Sequence, residues 1–268
     1  MYTFQHRTFQ EYLAVCHLTD HKFPYRIARL GREDPDRWRE AALLAGAKAA
    51  RGSEAGVWYL VDALCFKSID DPDADMVDVW GGLLAGQLLV ETANLEDVAV
   101  PNRAKHDKVR QWLLHILTGY RLPATERAVA GNALAVLGDP RPEVMTMAGM
   151  EFCYVPPGPA LLGDENRRVA FDDGYRIGRH PVTNAQFLEF VEAGGYGEAR
   201  YWEEASAEGV WEAGKIKDPF EDFLQDKPYD FGFPFNLPNH PVVGVSWYEA
   251  LAFARWLTER FRQDFGES

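Results

Sequence analysis

The stretch Asn239-His240-Pro241-Val242-Val243-Gly244-Val245-Ser246-Trp247-Tyr248 decides how the second half of this chain folds. Its apolar burst at 242–245 leads to Ser246, whose hydroxyl suits a helix N-cap. Beyond it Ala250, Leu251, Ala254 and Leu257 recur at helical spacing and predict an amphipathic helix with that face inward.

Upstream, residues 201–241 form a long irregular stretch with Trp202, Trp211, Phe220, Phe223, Tyr229 and Phe231 dispersed through it. Such a length is uncommon in a compact domain unless the segment packs on its own aromatics. Before it, Thr183 is a good N-cap for a helix with Phe187, Phe190 and Val191 inward, ended by Gly194-Gly195. Short strands precede that helix. Residues 150–155 end at Pro156-Pro157-Gly158, with 160–163 expected as the hairpin partner, and 168–171 and 175–178 follow.

At Gly138-Asp139-Pro140-Arg141-Pro142 the texture changes, which marks a boundary between residues 1–145 and 146–268. The first part reads as helices throughout. Phe9, Tyr12, Leu13 and Cys16 form one stripe behind a capping-box pattern at Thr8 and Glu11. Asp34-Pro35 and Asp71-Pro72 each announce a helix start, the first placing Trp38, Ala41, Ala42 and Ala45 inward. Val57, Leu60, Val61, Leu64 and Cys65 make a third stripe; Gly81, Gly82 and Gly86 suggest close backbone approach in a fourth helix. Two more helices carry Val109, Trp112, Leu113, Ile116 and Leu117, then, after a cap at Thr125, Ala130, Ala133, Leu134 and Leu137. Helix pairs on short polar links resemble an α-solenoid, without a strict repeat. The fold class is therefore α+β: an all-helical first region, then a mixed domain.

The net charge of −13 argues against nonspecific nucleic-acid binding, because a phosphate backbone would be repelled. The longest apolar runs are too short for a bilayer, so no membrane partner is expected. Three isolated cysteines do not make a disulfide framework, and no signal peptide is visible, which points to a cytoplasmic protein.

Three ordered motifs carry a resemblance. Tyr175-x-Ile177 leads into His180-Pro181-Val182-Thr183-Asn184-x-x-Phe187-x-x-Phe190-Val191; Gly194-Gly195-Tyr196 and Tyr201-Trp202 follow; the third runs from Asn239 through Trp256-Leu257. Together, over residues 150–260, they resemble the formylglycine-generating enzyme, or sulfatase-modifying-factor, family. The resemblance implies a C-type-lectin-like fold, present here as its N-terminal portion. It also implies that a catalytic cysteine pair, with copper, belongs to a later region of a complete domain. No catalytic, cofactor-binding or metal residue is carried onto this chain, and the chain reads as a fragment. The segment Phe4-Gln5-His6-Arg7-Thr8-Phe9-Gln10-Glu11-Tyr12-Leu13 resembles the helices that follow the nucleotide-binding module in NACHT-type (STAND) NTPases, which places such a module upstream as a partner. The phosphate-binding Gly-x-x-x-x-Gly-Lys-Ser/Thr is absent, so this piece has no NTPase activity of its own.

The side chains singled out for chemistry each have a plainer use. Cys16, Cys65 and Cys153 lack a neighbouring base in sequence and read as packing. His180 and His240 precede proline and lack a second ligand at metal spacing. Residues 244–248 lack the closing glycine of a nucleophile elbow. Asp218, Glu221, Asp222 and Asp226 could gather calcium but read better as a solvated loop. The function expected is a non-catalytic module of a NACHT/STAND signalling protein, recognising a peptide, protein or small ligand. Two alternatives stand beside it: a truncated formylglycine-generating oxidase whose cysteine pair lies past the C-terminus, and a helical scaffold.

Overall fold

The computed structural model describes residues 7–20, 23–217 and 224–265. The chain divides into two compact units, Met1–Asp139 and Pro140–Ser268. The Thr8 cap and the start of the Phe4–Leu13 motif fall outside the side chains described.

The first unit is helical: α1 (Arg7–Asp20), α2 (Tyr25–Glu33), α3 (Pro35–Gly52), α4 (Glu54–Leu64), α5 (Met76–Thr92), α6 (Val100–Thr118) and α7 (Ala124–Leu137). These helices gather around α5, which touches α2, α3, α4, α6 and α7 rather than its sequence neighbours alone. The three α5 glycines make this possible. A Cβ on Gly81 would meet the Leu64 backbone carbonyl, one on Gly82 the Trp112 side chain, and one on Gly86 the Leu113 side chain. Stripes on α3, α4, α6 and α7 are buried as their spacing predicts, with Trp38 and Leu117 half-buried.

Three readings of this unit need correction. On α1 the buried side chains are Val15 and Leu18, whereas Phe9, Tyr12 and Leu13 are exposed. The helix carries a second, aliphatic stripe two positions on, which joins the core of this unit, and α1 packs on α3. Asp71-Pro72 makes a turn, its carboxylate accepting from Asp73 N at 2.9 Å, and α5 starts instead at Asp75, which forms a capping box with Asp78. Thr125 lies inside α7, whose N-cap position is Pro123.

The second unit begins with α8 (Pro142–Met145) and four strands: β1 (Phe152–Val155), β2 (Gly158–Leu162), β3 (Arg167–Phe171) and β4 (Tyr175–Gly178). The expected β1–β2 hairpin does not form. β2 pairs with β3, and β1 pairs with β4, Phe152 opposite Gly178. The tight turn lies after β2, where Gly163 (φ 71°) and Asn166 (φ 52°) take left-handed conformations that reverse the chain. Two prolines after β1 offer no N–H for such a turn.

Next come α9 (Asn184–Glu192), 3₁₀ turns at Gly195–Gly197 and Ala199–Tyr201, and α10 (Glu203–Ala207). The stretch read as irregular then holds a small antiparallel sheet of β5 (Trp211–Glu212), β6 (Lys215–Lys217) and β7 (Leu224–Gln225). Ala213 and Gly214, both at positive φ, close a two-residue hairpin between β5 and β6. The last helix is α11 (Trp247–Phe265). Its buried face is Glu249, Ala252, Phe253, Trp256 and Leu257, while Ala250 and Ala254 are exposed, contrary to the spacing argument. Two large rings bury more apolar surface than two methyl groups, and they set the rotation of the helix.

The core of this unit is aromatic. Phe190, fully buried, meets Phe187 at 5.5 Å, Trp256 at 5.5 Å and Phe253 at 5.9 Å between ring centroids. Trp202 stacks on Trp211 at 6.1 Å, and both indoles donate to backbone carbonyls, Trp202 to Gly195 and Trp211 to Tyr196.

Gly81→Ala is expected to destabilise the helical unit by about 1–3 kcal/mol through overpacking, outweighing the helix-propensity gain of about 1 kcal/mol. Urea denaturation followed by far-UV circular dichroism checks this; an unchanged or raised midpoint would show that α4 and α5 separate at low cost.

Candidate functional site

Two sequence motifs meet beneath the site. Thr183 bridges to Pro241, and Val242 N donates to Val182 O at 2.9 Å. Asn184 N donates to His240 O, and its side-chain amide donates to the carbonyls of Phe235 and Leu237, both at 2.8 Å. Thr183 is buried and forms a capping box with Gln186, while its hydroxyl donates to Val144 O at 2.7 Å. The His-Pro dipeptides therefore serve a backbone crossing. Burial pushes the His240 imidazole below its ordinary pKa, favouring the neutral form.

The second structural centre is Glu249, a fully buried carboxylate. Tyr196 OH donates to its Oε1, and Ser246 N donates to its Oε2 at 2.6 Å. Ser246 Oγ accepts from Glu249 N at 3.3 Å, so the serine is spent on capping α11. Burial, and then the facing Glu249 carboxylate, push the Tyr196 phenol far above its ordinary pKa, keeping it a donor. Further along α11, Arg255 forms a bidentate pair with Glu204, both contacts at 2.6 Å, and holds that carboxyl below the usual range.

Beside these supports lies a groove of about 560 Å³. One wall is Phe152 with Ile177 and Gly178 of the β1–β4 pair; the other is α11, through Ala250, Phe253, Ala254 and Leu257. Its floor includes Val182, Phe187 and Val242 from the crossing, and Arg176, Arg179 and His180 border it. The groove exists because Ala250 and Ala254, at i and i+4, and Gly178 opposite present almost no side chain. Arg179 is paired with Glu151 at 2.7 Å. The lining is mostly apolar with cations at one edge, a surface that would take an apolar group and orient a polar end.

The side chains singled out in the sequence do not converge. Cys65 is buried in the helical unit, where burial pushes its thiol up to about 12, far from a nucleophile's range. Cys153 is exposed on β1. Asp218, Glu221 and Asp222 lie outside the described residues; Asp226 is exposed. Among the described residues no group of three His, Cys, Asp or Glu side chains could hold a metal ion. Glu249 was missed in the sequence, though Ser246-x-x-Glu249 is the spacing of a capping box.

Comparison with known proteins places this geometry. Residues 139–265 match the family of the sulfatase-modifying factor enzyme 1-like domain. The chain is thus a helical region followed by a domain that matches that family, in an α+β architecture. The chain is 33% identical over 146 residues to a hercynine oxygenase of Mycolicibacterium smegmatis, covering 53% of this chain and 32% of that protein. It is 30% identical over 173 residues to that of Mycolicibacterium thermoresistibile, covering 61% and 36%. A serine/threonine-protein kinase pkn1 of Chlamydia caviae is 32% identical over 81 residues, covering 30% of this chain and 11% of the kinase. The chain spans about a third of the length of the two hercynine oxygenases. No solved structure matches it.

These relatives overturn the reading of a non-catalytic NACHT/STAND recognition module: the family is one of modifying enzymes, and the oxygenases named above are enzymes. The stripe from Phe9 to Cys16 specifies an amphipathic helix, which many families share. The cytoplasmic placement is not supported by them either. Among the described residues no helix is long and apolar enough to cross a membrane.

Tyr196→Phe leaves one Glu249 oxygen without its donor and is expected to cost about 1–3 kcal/mol. Because the folded-state pKa of Tyr196 is raised, its contribution is complete below the unfolded value of about 10 and declines as pH climbs above it. Thermal melts from pH 8 to 11 should show stability falling at the alkaline end in the parent and a shallower fall in Tyr196→Phe; parallel curves would contradict the coupling.

Proposed function

We propose that the unit Pro140–Ser268 serves an oxidative enzyme of the sulfatase-modifying-factor kind, and that the groove beside α11 receives its substrate. The observation that carries this reading is the family match over residues 139–265, which spans every residue lining the groove. The hercynine oxygenases support the same class of reaction, and their name makes the substrate a small molecule. A small ligand or a short peptide segment suits the size of the groove.

In this reading the apolar walls exclude water from the bound group, and the Arg176–His180 edge orients its polar end. The aromatic core and the buried Glu249 hold both walls in place. The described residues position substrate.

The test uses protein expressed from the complete coding sequence, with copper or iron supplied, and follows oxygen uptake with hercynine and with a cysteine-containing peptide. Uptake with one of them is expected. Ala254→Trp, which fills the groove from an exposed position, should lower kcat/KM on the order of tenfold or more, equivalent to about 1.4 kcal/mol, with an unchanged circular dichroism spectrum. No uptake with either substrate under both metals would sink the proposal.

A further inference from the structure

The β2–β3 hairpin carries a charge pattern that has no part in the groove. From Arg167 the chain reads Arg167-Arg168-Val169-Ala170-Phe171-Asp172-Asp173, cations first, then apolar residues, then carboxylates. Arg167–Phe171 is β3, and the two aspartates form the bend that follows it. Among the described residues β3 has one neighbouring strand, β2, so its other edge is open. The register fixes which groups that edge presents. Ala170 lies opposite Pro159, which has no N–H to donate. A proline fits a ladder where its nitrogen faces away from the neighbouring strand, at a pair that exchanges no hydrogen bonds. The N–H and C=O of Ala170, and those of Arg168 two residues back, therefore point out from the open edge. Arg167, Arg168, Asp172 and Asp173 are all exposed, and among the described residues none of these side chains has a partner.

From this pattern we infer that the open edge of β3 docks a second copy of this chain, the two β3 strands running antiparallel about a two-fold axis at Ala170. In that register the segment is its own complement. Arg167 faces Asp173 of the second copy, Arg168 faces Asp172, Val169 faces Phe171, and Ala170 faces itself. The axis repeats each pairing, so both arginines of each copy meet a carboxylate of the other. Ala170, with its N–H and C=O turned outward, is also a residue on which a hydrogen-bonded pair can be centred. Val169 and Phe171, both half-buried on the same side of the strand, make a β-branched–aromatic cross-strand pair. An edge charged only to keep other strands away repels an identical edge, whereas here the sign reverses about the middle of the strand. A parallel approach in register would set arginine against arginine, so the same reversal also selects the direction. The net charge of −13 opposes association at long range, and exposed ion pairs are individually weak. The dimer is therefore reversible and forms with rising concentration. It joins two hairpins into one four-stranded sheet, and it stands whether or not the groove binds substrate.

Sedimentation velocity of the full chain over a wide range of concentration is expected to show monomer giving way to dimer. Arg167→Asp with Arg168→Asp makes both ends of the segment acidic, and Asp172→Arg with Asp173→Arg makes both ends basic. Each double variant alone should stay monomeric over the same range, with the circular dichroism spectrum of the parent. Mixed in equal amounts, the two are complementary and should form a heterodimer. Ala170→Pro, whose missing N–H faces the open edge, should abolish the dimer and leave the β2–β3 ladder in place. A parent that stays monomeric throughout would overturn the assignment. A dimer that survives in either double variant would do the same, as would a mixture of the two that remains monomeric.

Discussion

The second unit depends on one buried carboxyl group. Glu249 is wholly removed from water, a position that costs several kcal/mol unless its oxygens find donors. Tyr196 OH and Ser246 N satisfy it, and in doing so they fix where α11 starts relative to the 3₁₀ turns that follow α9. From that anchor Phe253 and Trp256, one and two turns along, are delivered to Phe190. The polar anchor sets the register, and the rings supply the apolar burial.

The cavity beside α11 follows from the same register. With Phe253 and Trp256 turned toward Phe190, the adjacent stripe of the helix is Ala250 and Ala254, and across from it β4 offers Gly178. Filled space and open space are two outcomes of one rotation of one helix. Arg255, on the following face, locks that rotation by its bidentate grip on Glu204.

Much of this was legible in the residues and some was not, for identifiable reasons. The helices with strong stripes, α3, α4, α6 and α7, formed as read because burial follows period there. The α1 face was misjudged because two stripes compete on that helix, and the aliphatic one joins the core. The β1–β2 pairing was misjudged because strand period says which residues are exposed but not which strand is the neighbour; turn geometry at Gly163 and Asn166 settles that. α11 was rotated in the reading because Ala, Leu and Phe were weighted alike. For the site, the motifs around Thr183 and Ser246 were visible, whereas the groove was not, since it arises from small side chains that attract no notice in a sequence. The NACHT-type reading failed because a ten-residue amphipathic match describes a helix and little else.

The crossing of Thr183 with Pro241 has an effect on how the unit tolerates changes of length. Once the two motifs are joined, the chain between them is a closed loop, and the entropy of closing a loop grows only with the logarithm of its length, about 0.6 kcal/mol per doubling. The exposed turn at Glu208 and Gly209 lies on that loop, away from Thr183, Asn184 and the start of α11. Extra residues spliced in there would lengthen the excursion while leaving both ends clasped. The unit can thus accept insertions between its two fixed points without moving the walls they support.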